Sequence, residues 1–264
     1  MSPVVFVGGG RITSALLAGL RLAKYRQPII VHDLDARKLR ELKSAYRVDI
    51  EPDLRRAVDQ AKLLIIAVRP ESVGELLRHI GFVESPLVAV SLAAGVPLSR
   101  LRAGLRPPVR WARAMPSPTC RSGRGLTAVT FDRNFPSRSQ RELCELFSKV
   151  GPVLEIPESK FDAFTATYSC SHGYHALATL AAAARRLGLD QQTALTAASH
   201  ALADGIAAWR EGNTPLDALI QEAATPGGIA AAVMSAMDRA GYARVVQKGL
   251  EAGKNRAREN ARRA

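Results

Sequence analysis

Val4-Val5-Phe6-Val7-Gly8-Gly9-Gly10-Arg11-Ile12-Thr13 is the stretch that decides the fold. Its first four residues are a short, wholly apolar run, suited to a strand buried on both faces. The run stops at three consecutive glycines, which allow a tight turn and close backbone approach. Beyond them Ile12, Leu16, Leu17 and Leu20 recur at helical spacing, so strand, turn and amphipathic helix follow in order. That order matches the dinucleotide fingerprint of doubly wound α/β domains, except that Thr13 takes the last glycine position. The first glycine of the fingerprint makes the turn, and the next lets backbone meet a pyrophosphate. The helix N-terminus then offers unpaired N–H groups and a favourable dipole to the phosphates. Thr13 falls where helix packs on strand, bulkier than glycine but small enough to be tolerated.

The alternation continues outward. Ile29-Ile30-Val31 reads as the next strand, followed by a charged helix from about residue 37 to 42. Leu63-Leu64-Ile65-Ile66-Ala67-Val68 is apolar throughout and ends at Arg69-Pro70; residues 87–92 repeat the pattern before Ala93-Ala94-Gly95. Shorter strands are expected at 109–112, 126–130 and 153–156. Strands alternating with helical segments predict a parallel sheet with right-handed crossovers. After Pro157 the character changes. No convincing strand follows Phe161, and alanine- and leucine-rich helices are predicted at 174–187, 191–212, 216–223 and 229–240, then a polar terminal helix. Several of these are too apolar for a monomer's surface, which marks an interface. The expected fold is α/β: a doubly wound sheet domain at residues 1–158, then an all-α dimerisation domain at 159–264.

Composition narrows the classes. A chain of 264 residues with 47% hydrophobic and 23% charged content is an ordinary globular protein of one or two domains. Cys120, Cys144 and Cys170 have no CxxC spacing, so neither a disulfide framework nor a zinc site is indicated. The N-terminus lacks the basic segment of a signal peptide, and no run of about 18 apolar residues could span a bilayer. A cytoplasmic protein is expected. The net charge of +13 comes largely from arginines along the helices and a basic tail, Lys254-Asn255-Arg256-Ala257-Arg258 and Arg262-Arg263. With 5% aromatic content and no recognisable binding module, nucleic acid is not the expected partner. Anionic cofactors or substrates suit the charge better.

Asp33 closes the second strand, where an acidic residue can accept both ribose hydroxyls of NAD and disfavour the 2′-phosphate of NADP. Asp33 or Asp35 can instead cap the next helix, and Arg37 or Lys38 can neutralise a 2′-phosphate. The expected cofactor is NADH or NADPH, with a slight preference for NADH.

With these residues in hand, the sequence resembles the pyrroline-5-carboxylate reductase family, as a divergent member. The likeness runs nearly end to end. Residues 5–12 look like the family's opening. Ala67-Val68-Arg69-Pro70 is similar to its AVKP turn, and Ser91-Leu92-Ala93-Ala94-Gly95-Val96 to its SIAAGV segment. Arg113-Ala114-Met115-Pro116-Ser117-Pro118 resembles RAMPNTP, Thr165-Ala166 and Tyr174 bracket the counterpart of TALSGSGPAY, and Ala224-Thr225-Pro226-Gly227-Gly228 that of TSPGG. The resemblance implies a Rossmann-type sheet domain and NAD(P)H-dependent reduction of a cyclic imine to give proline. It also implies a domain-swapped helical dimer, often assembled into larger rings, with substrate between one subunit's cofactor and the partner's helices. Val7, Gly8, Gly9, Gly10, Arg11, Ile12, Ala67, Val68, Arg69, Pro70, Leu92, Ala93 and Ala94 would line the dinucleotide, and Met115, Pro116 and Ser117 would lie near the nicotinamide.

Hydride transfer to a protonated imine asks for alignment more than for a strong acid or base. A substrate carboxylate can be held by N–H groups at a helix N-terminus. Thr225, Gly227, Gly228, Ile229 and Ala230 are therefore the candidate substrate-binding residues; an ordinary loop with a helix cap is the plain alternative. The departures from the family lie here. Ala230 lacks the hydroxyl that the family places to hydrogen-bond the substrate nitrogen, and Tyr168-Ser169-Cys170-Ser171-His172-Gly173-Tyr174 replaces a glycine-rich turn. His172 can donate a proton or bind an anion, or simply hydrogen-bond within a helix junction. Thr225 and His172 are the candidate catalytic residues. No metal is expected. The departures fit a paralogue with another substrate, a divergent reductase, or a dinucleotide-binding protein that has lost turnover.

Overall fold

The computed structural model describes residues 3–264; Met1 and Ser2, which entered the reading of the N-terminus, lie outside them. The chain divides into two compact units. One holds the described residues up to Tyr168 together with Ala252–Ala264, the other Ser169–Glu251.

The first unit runs β1 (Val4–Val7), α1 (Arg11–Leu22), β2 (Ile29–His32), α2 (Ala36–Tyr46), β3 (Asp49–Ile50), α3 (Leu54–Asp59) and β4 (Leu63–Ile66). It continues with α4 (Val73–Ile80), β5 (Leu87–Ser91), α5 (Leu98–Gly104), β6 (Val109–Pro116), β7 (Thr127–Phe131), α6 (Ser137–Ser148), β8 (Val153–Glu155) and α7 (Glu158–Thr167). The strands form one 8-stranded sheet in the order β3-β2-β1-β4-β5-β6-β7-β8. The chain first builds β1, β2 and β3 toward one edge, then returns to place β4 on the other side of β1. That reversal is the strand-order switch of a doubly wound, Rossmann-type sheet.

Period-2 alternation divides the apolar residues between the two faces. Phe6, Ile65 and Val90 join Leu16, Leu17, Leu20 and Phe147 on the face covered by α1, α2 and α6. Val5, Val7, Leu64, Ile66 and Ala89 join Leu77, Ile80 and Leu101 on the other. Wholly apolar strands are what a sheet covered on both faces requires.

Three details differ from the sequence expectation. Not every pair is parallel: β7 runs antiparallel to β6, with Met115 opposite Ala128. Between them lies only a 3-10 turn, Pro118–Ser122, and a link without a crossover helix returns a strand antiparallel. Strand β3 is two residues long, too short to register as a hydrophobic period. The apolar run at 63–68 leaves the sheet after Ile66, although the Ala67 N–H still donates to the Val7 carbonyl at 2.8 Å.

The compact sheet unit includes α7, for a physical reason. Phe161 of α7 is fully buried. Arg113 of β6, 2% exposed, reaches Glu158 Oε1 and Asp162 Oδ1 at 3.3 Å each, and its guanidinium lies 4.4 Å from the centre of the Phe161 ring. Cation over ring, with two carboxylates, ties α7 to the sheet.

The second unit is all helical: α8 (Cys170–Arg186), α9 (Gln191–Glu211), α10 (Leu216–Ala223), α11 (Ile229–Arg239) and the beginning of α12 (Tyr242–Arg263). Among its described residues only Ala181, Ala194 and Ala198 are buried hydrophobics, while Leu187, Ile206 and Val233 are 88%, 55% and 53% exposed. A unit so poor in internal core and so rich in exposed aliphatic surface needs a further apolar surface to cover it.

Candidate functional site

Four loops meet at the carboxyl edge of the sheet, where ligands of such folds bind. They follow β1, β4, β5 and β6, and together with the adjoining strand ends and the first turn of α1 they hold the residues that the family resemblance implies for the cofactor. In the first loop Gly8 has φ +107°, a conformation that favours glycine. A Cβ there would lie 2.7 Å from the Ala67 carbonyl oxygen, so the backbones of two loops touch at this point. The Gly8 N–H donates to the His32 carbonyl at 2.8 Å, and the Thr13 hydroxyl donates to the Gly8 carbonyl. Thr13 thus does more than fit the helix–strand contact. Fully buried, it closes the loop on the first turn of α1, a role its position in the fingerprint did not reveal.

The N-terminus of α1 is open. Gly10 is its N-cap, carries no side-chain cap, and the first turn holds no acidic residue. A Cβ built on Gly10 meets nothing within 4 Å. Unpartnered N–H groups, the positive end of the helix dipole and free space together fit a diphosphate.

Asp33 directly follows β2, where the sequence puts it, and also makes two local hydrogen bonds. Its Oδ2 accepts the Gly9 N–H at 2.6 Å, and its Oδ1 accepts the Asp35 N–H at 2.8 Å. Lys38 Nζ stands 3.7 Å from the same Oδ1. The carboxylate therefore braces the glycine loop as well as marking the end of β2. Asp35 is the helix cap, accepting from the Arg37 and Lys38 N–H groups. The Arg37 N–H bond first, and that of Lys38 with the nearby cations, hold its carboxyl below the usual range despite some desolvation.

In the second loop Val68 is half-buried and Arg69 exposed, and Pro70 opens a 3-10 turn into α4. In the third, Leu92 and Ala93 are buried and the Ala93 N–H donates to Ser91 Oγ at 3.2 Å. At the end of β6, Met115 is half-buried, Pro116 is buried, and Ser117 caps the following turn by accepting the Thr119 N–H. Cys120, inside that turn and fully buried, has its thiol pushed up to about 11 by desolvation.

The candidate substrate residues form a separate feature of the helical unit. Thr225, Pro226, Gly227 and Gly228 make a tight turn: the Gly228 N–H donates to the Thr225 carbonyl at 2.9 Å, and Gly227 has φ +77°. Proline then glycine at the centre is the chemistry of a type II turn. Gly228 is the N-cap of α11 without a side-chain cap, so the amides at Ile229 and Ala230 begin an open helix end. Thr225 and Ile229 are exposed. His172 lies in the first turn of α8, exposed, with its N–H donating to the Ser169 carbonyl at 3.0 Å.

Sequence reasoning missed the Arg113 bridge and the Asn260 side-chain amide, which donates to the Ala94 carbonyl at 3.2 Å. The first had a signal: an arginine between the apolar Trp111-Ala112 and Ala114-Met115, with Glu158, Phe161 and Asp162 spaced on one helix face. The second had none.

A glycine loop pressed on its neighbour and an open helix N-terminus at the strand-order switch define a nicotinamide-dinucleotide-binding domain of the oxidoreductase class. Residues 158–260 match the family model described as pyrroline-5-carboxylate reductase dimerisation. Residues 3–95 match that described as NADP oxidoreductase, coenzyme F420-dependent. The pyrroline-5-carboxylate reductase of Corynebacterium melassecola is 28% identical over 266 residues, covering 98% of both chains. Among solved structures, the pyrroline carboxylate reductase of Plasmodium falciparum with NADP bound has a TM-score of 0.88 at 19% identity, covering 98% of each chain. That of Coxiella burnetii has a TM-score of 0.88 at 22% identity, again covering 98% of each. Along nearly its whole length the chain is thus similar to pyrroline-5-carboxylate reductases, with an N-terminal part that matches an NADP oxidoreductase model and a helical part that matches their dimerisation domain.

Proposed function

We propose that the protein is an NAD(P)H-dependent reductase of a cyclic imino acid, with 1-pyrroline-5-carboxylate reduced to L-proline as the leading reaction. The observation that carries this reading is the uncapped N-terminus of α1 beside Gly8, in a chain whose two units both match reductase family models. Hydride for the imine carbon comes from the bound reduced nicotinamide. The protein's own part is placement. Residues 7–12 and 67–70 hold the diphosphate end, 92–94 and 115–117 the nicotinamide end. The amides of Gly228, Ile229 and Ala230, with Thr225 beside them, take the substrate carboxylate. His172 supplies a proton in place of the hydroxyl that Ala230 lacks. In this reading the working form is a cytoplasmic homodimer or an assembly of dimers, with the exposed aliphatic surface of the helical unit supporting the association. NADH oxidation dependent on 1-pyrroline-5-carboxylate is the expected result. Tight NAD(P)H binding without oxidation by any of several cyclic imines would instead identify a binding protein that has lost turnover.

Preference for NADH is part of the same reading and rests on Asp33. A carboxylate held at the end of β2 repels a 2′-phosphate, while Lys38 lies close enough to receive one once that charge is gone. Asp33→Asn is therefore expected to shift the NADH/NADPH ratio of kcat/KM toward NADPH by about tenfold. Steady-state kinetics with both cofactors measures it, and an unchanged ratio would leave Asp33 only its bracing role.

A further inference from the structure

The C-terminal segment Ala252–Ala264 belongs to the sheet unit although it ends the chain's last helix. Its inward face carries Ala257, 5% exposed, with Asn260, Ala261 and Ala264 half-buried, while Arg258, Arg262 and Arg263 face solvent. Contact with the sheet unit is made at two glycines. A Cβ on Gly95, which has φ +83°, would collide with the Ala257 backbone carbonyl. One on Gly74, in the first turn of α4, would collide with the carbonyl of Ala264. Between these contacts the Asn260 side-chain amide donates to the Ala94 carbonyl at 3.2 Å. Gly74 follows the loop after β4, and Ala94 and Gly95 lie in the loop after β5. The helix end thus lies against the loop after β5 and the first turn of α4, the helix that follows the loop after β4.

We infer that the C-terminal helix is a strap for the dinucleotide site, and that Asn260 is a positioning residue which holds the 92–95 loop in its binding conformation through Ala94. The inference rests on the dinucleotide reading of the four loops. It adds to that reading a residue far from them in sequence and outside every fingerprint motif. An amide–carbonyl bond to a loop carbonyl fixes the peptide plane there, so the loop is already ordered when ligand arrives and less ordering is needed on binding. The small side chains and facing glycines permit backbone-to-backbone approach, which gives the strap its closeness but not its register. Asn260 supplies the register.

The test compares wild type with Asn260→Ala, Asn260→Asp and, as a control on the solvent face of the same helix, Arg258→Ala. Two readouts apply: NADH affinity by fluorescence titration, and hydrogen exchange of the peptide spanning residues 92–96 without nucleotide. Asn260→Ala is expected to raise the Kd about three- to tenfold and to speed exchange in 92–96 while leaving the 4–12 segment unchanged. Asn260→Asp, which keeps the size but loses the donor, should behave like the alanine variant; Arg258→Ala should behave like wild type. If wild type binds NADH and both Asn260 variants match it in affinity and exchange, the strap is overturned and the reductase reading stands. A wild type that binds neither NADH nor NADPH removes the dinucleotide reading and the strap with it. An Asp variant that keeps wild-type affinity overturns the role of the donated hydrogen bond, whatever the alanine variant does.

Discussion

A Gly8→Ala variant is expected to lose about 2–5 kcal/mol of stability and to bind NADH about a hundredfold more weakly, or not at all. Two costs combine. An L-residue forced to the φ of +107° found at Gly8 gives up about 1–2 kcal/mol. The new methyl would also stand 2.7 Å from the Ala67 carbonyl oxygen, and overpacking of that kind adds about 1–3 kcal/mol. Neither neighbour can retreat cheaply. Ala67 is fixed by its N–H bond to Val7, and Gly8 by its own bond to His32 and by the Thr13 hydroxyl. Relief must come from moving the loop, which displaces the amides proposed to hold a phosphate. Urea denaturation and nucleotide titration measure the two effects separately. A variant that melts like wild type and binds NADH normally would show that the loop is not the pyrophosphate cradle.

Arg113→Met is expected to cost about 2–3 kcal/mol. Removing one partner of a fully buried ion pair costs about 3–5 kcal/mol because a charge is left uncompensated. Here the discount is physical: Glu158 and Asp162 are 37% and 30% exposed, so water recovers part of the loss. Contact with the Phe161 ring is lost as well. The effect should also reach the site, because Arg113 sits two residues before Met115 on β6 and fixes that strand against α7. Arg113→Lys should fall between, keeping the charge but not the forked geometry. Chemical denaturation and the Kd for NADH test it; equal stability of the Met and Lys variants would contradict the ion-pair account.

Local pattern made most of the sheet unit legible in the sequence. The apolar runs at β1, β2, β4 and β5 were plain because a sheet covered on both faces needs no polar side. The loops after them were plain because glycine, Arg69-Pro70 and Ala93-Ala94-Gly95 punctuate each run. Helix α10 was expected at 216–223 and occupies Leu216–Ala223, bounded by Pro215 before it and Thr225-Pro226 after. What stayed hidden depends on distant pairs. The reversal of β7 follows from a missing crossover helix, not from anything in the strand itself. The double use of Asp33 depends on Gly9, and the hold on Ala94 on Asn260. No periodicity in a single segment encodes such partners. The candidate chemistry of His172 and Thr225 was likewise read from residue type and resemblance, and kinetics of the variants must judge it.

The two rims of the sheet have a consequence for how copies meet. One rim is β3, a strand of two residues, and the other is β8, a strand of three that ends in Glu155. Ribbons this short, one tipped with an anion, give a neighbouring chain almost no ladder to extend, which guards against open-ended fibril growth. Self-recognition is thereby left to the aliphatic helices, whose mutual coverage can close instead of propagating.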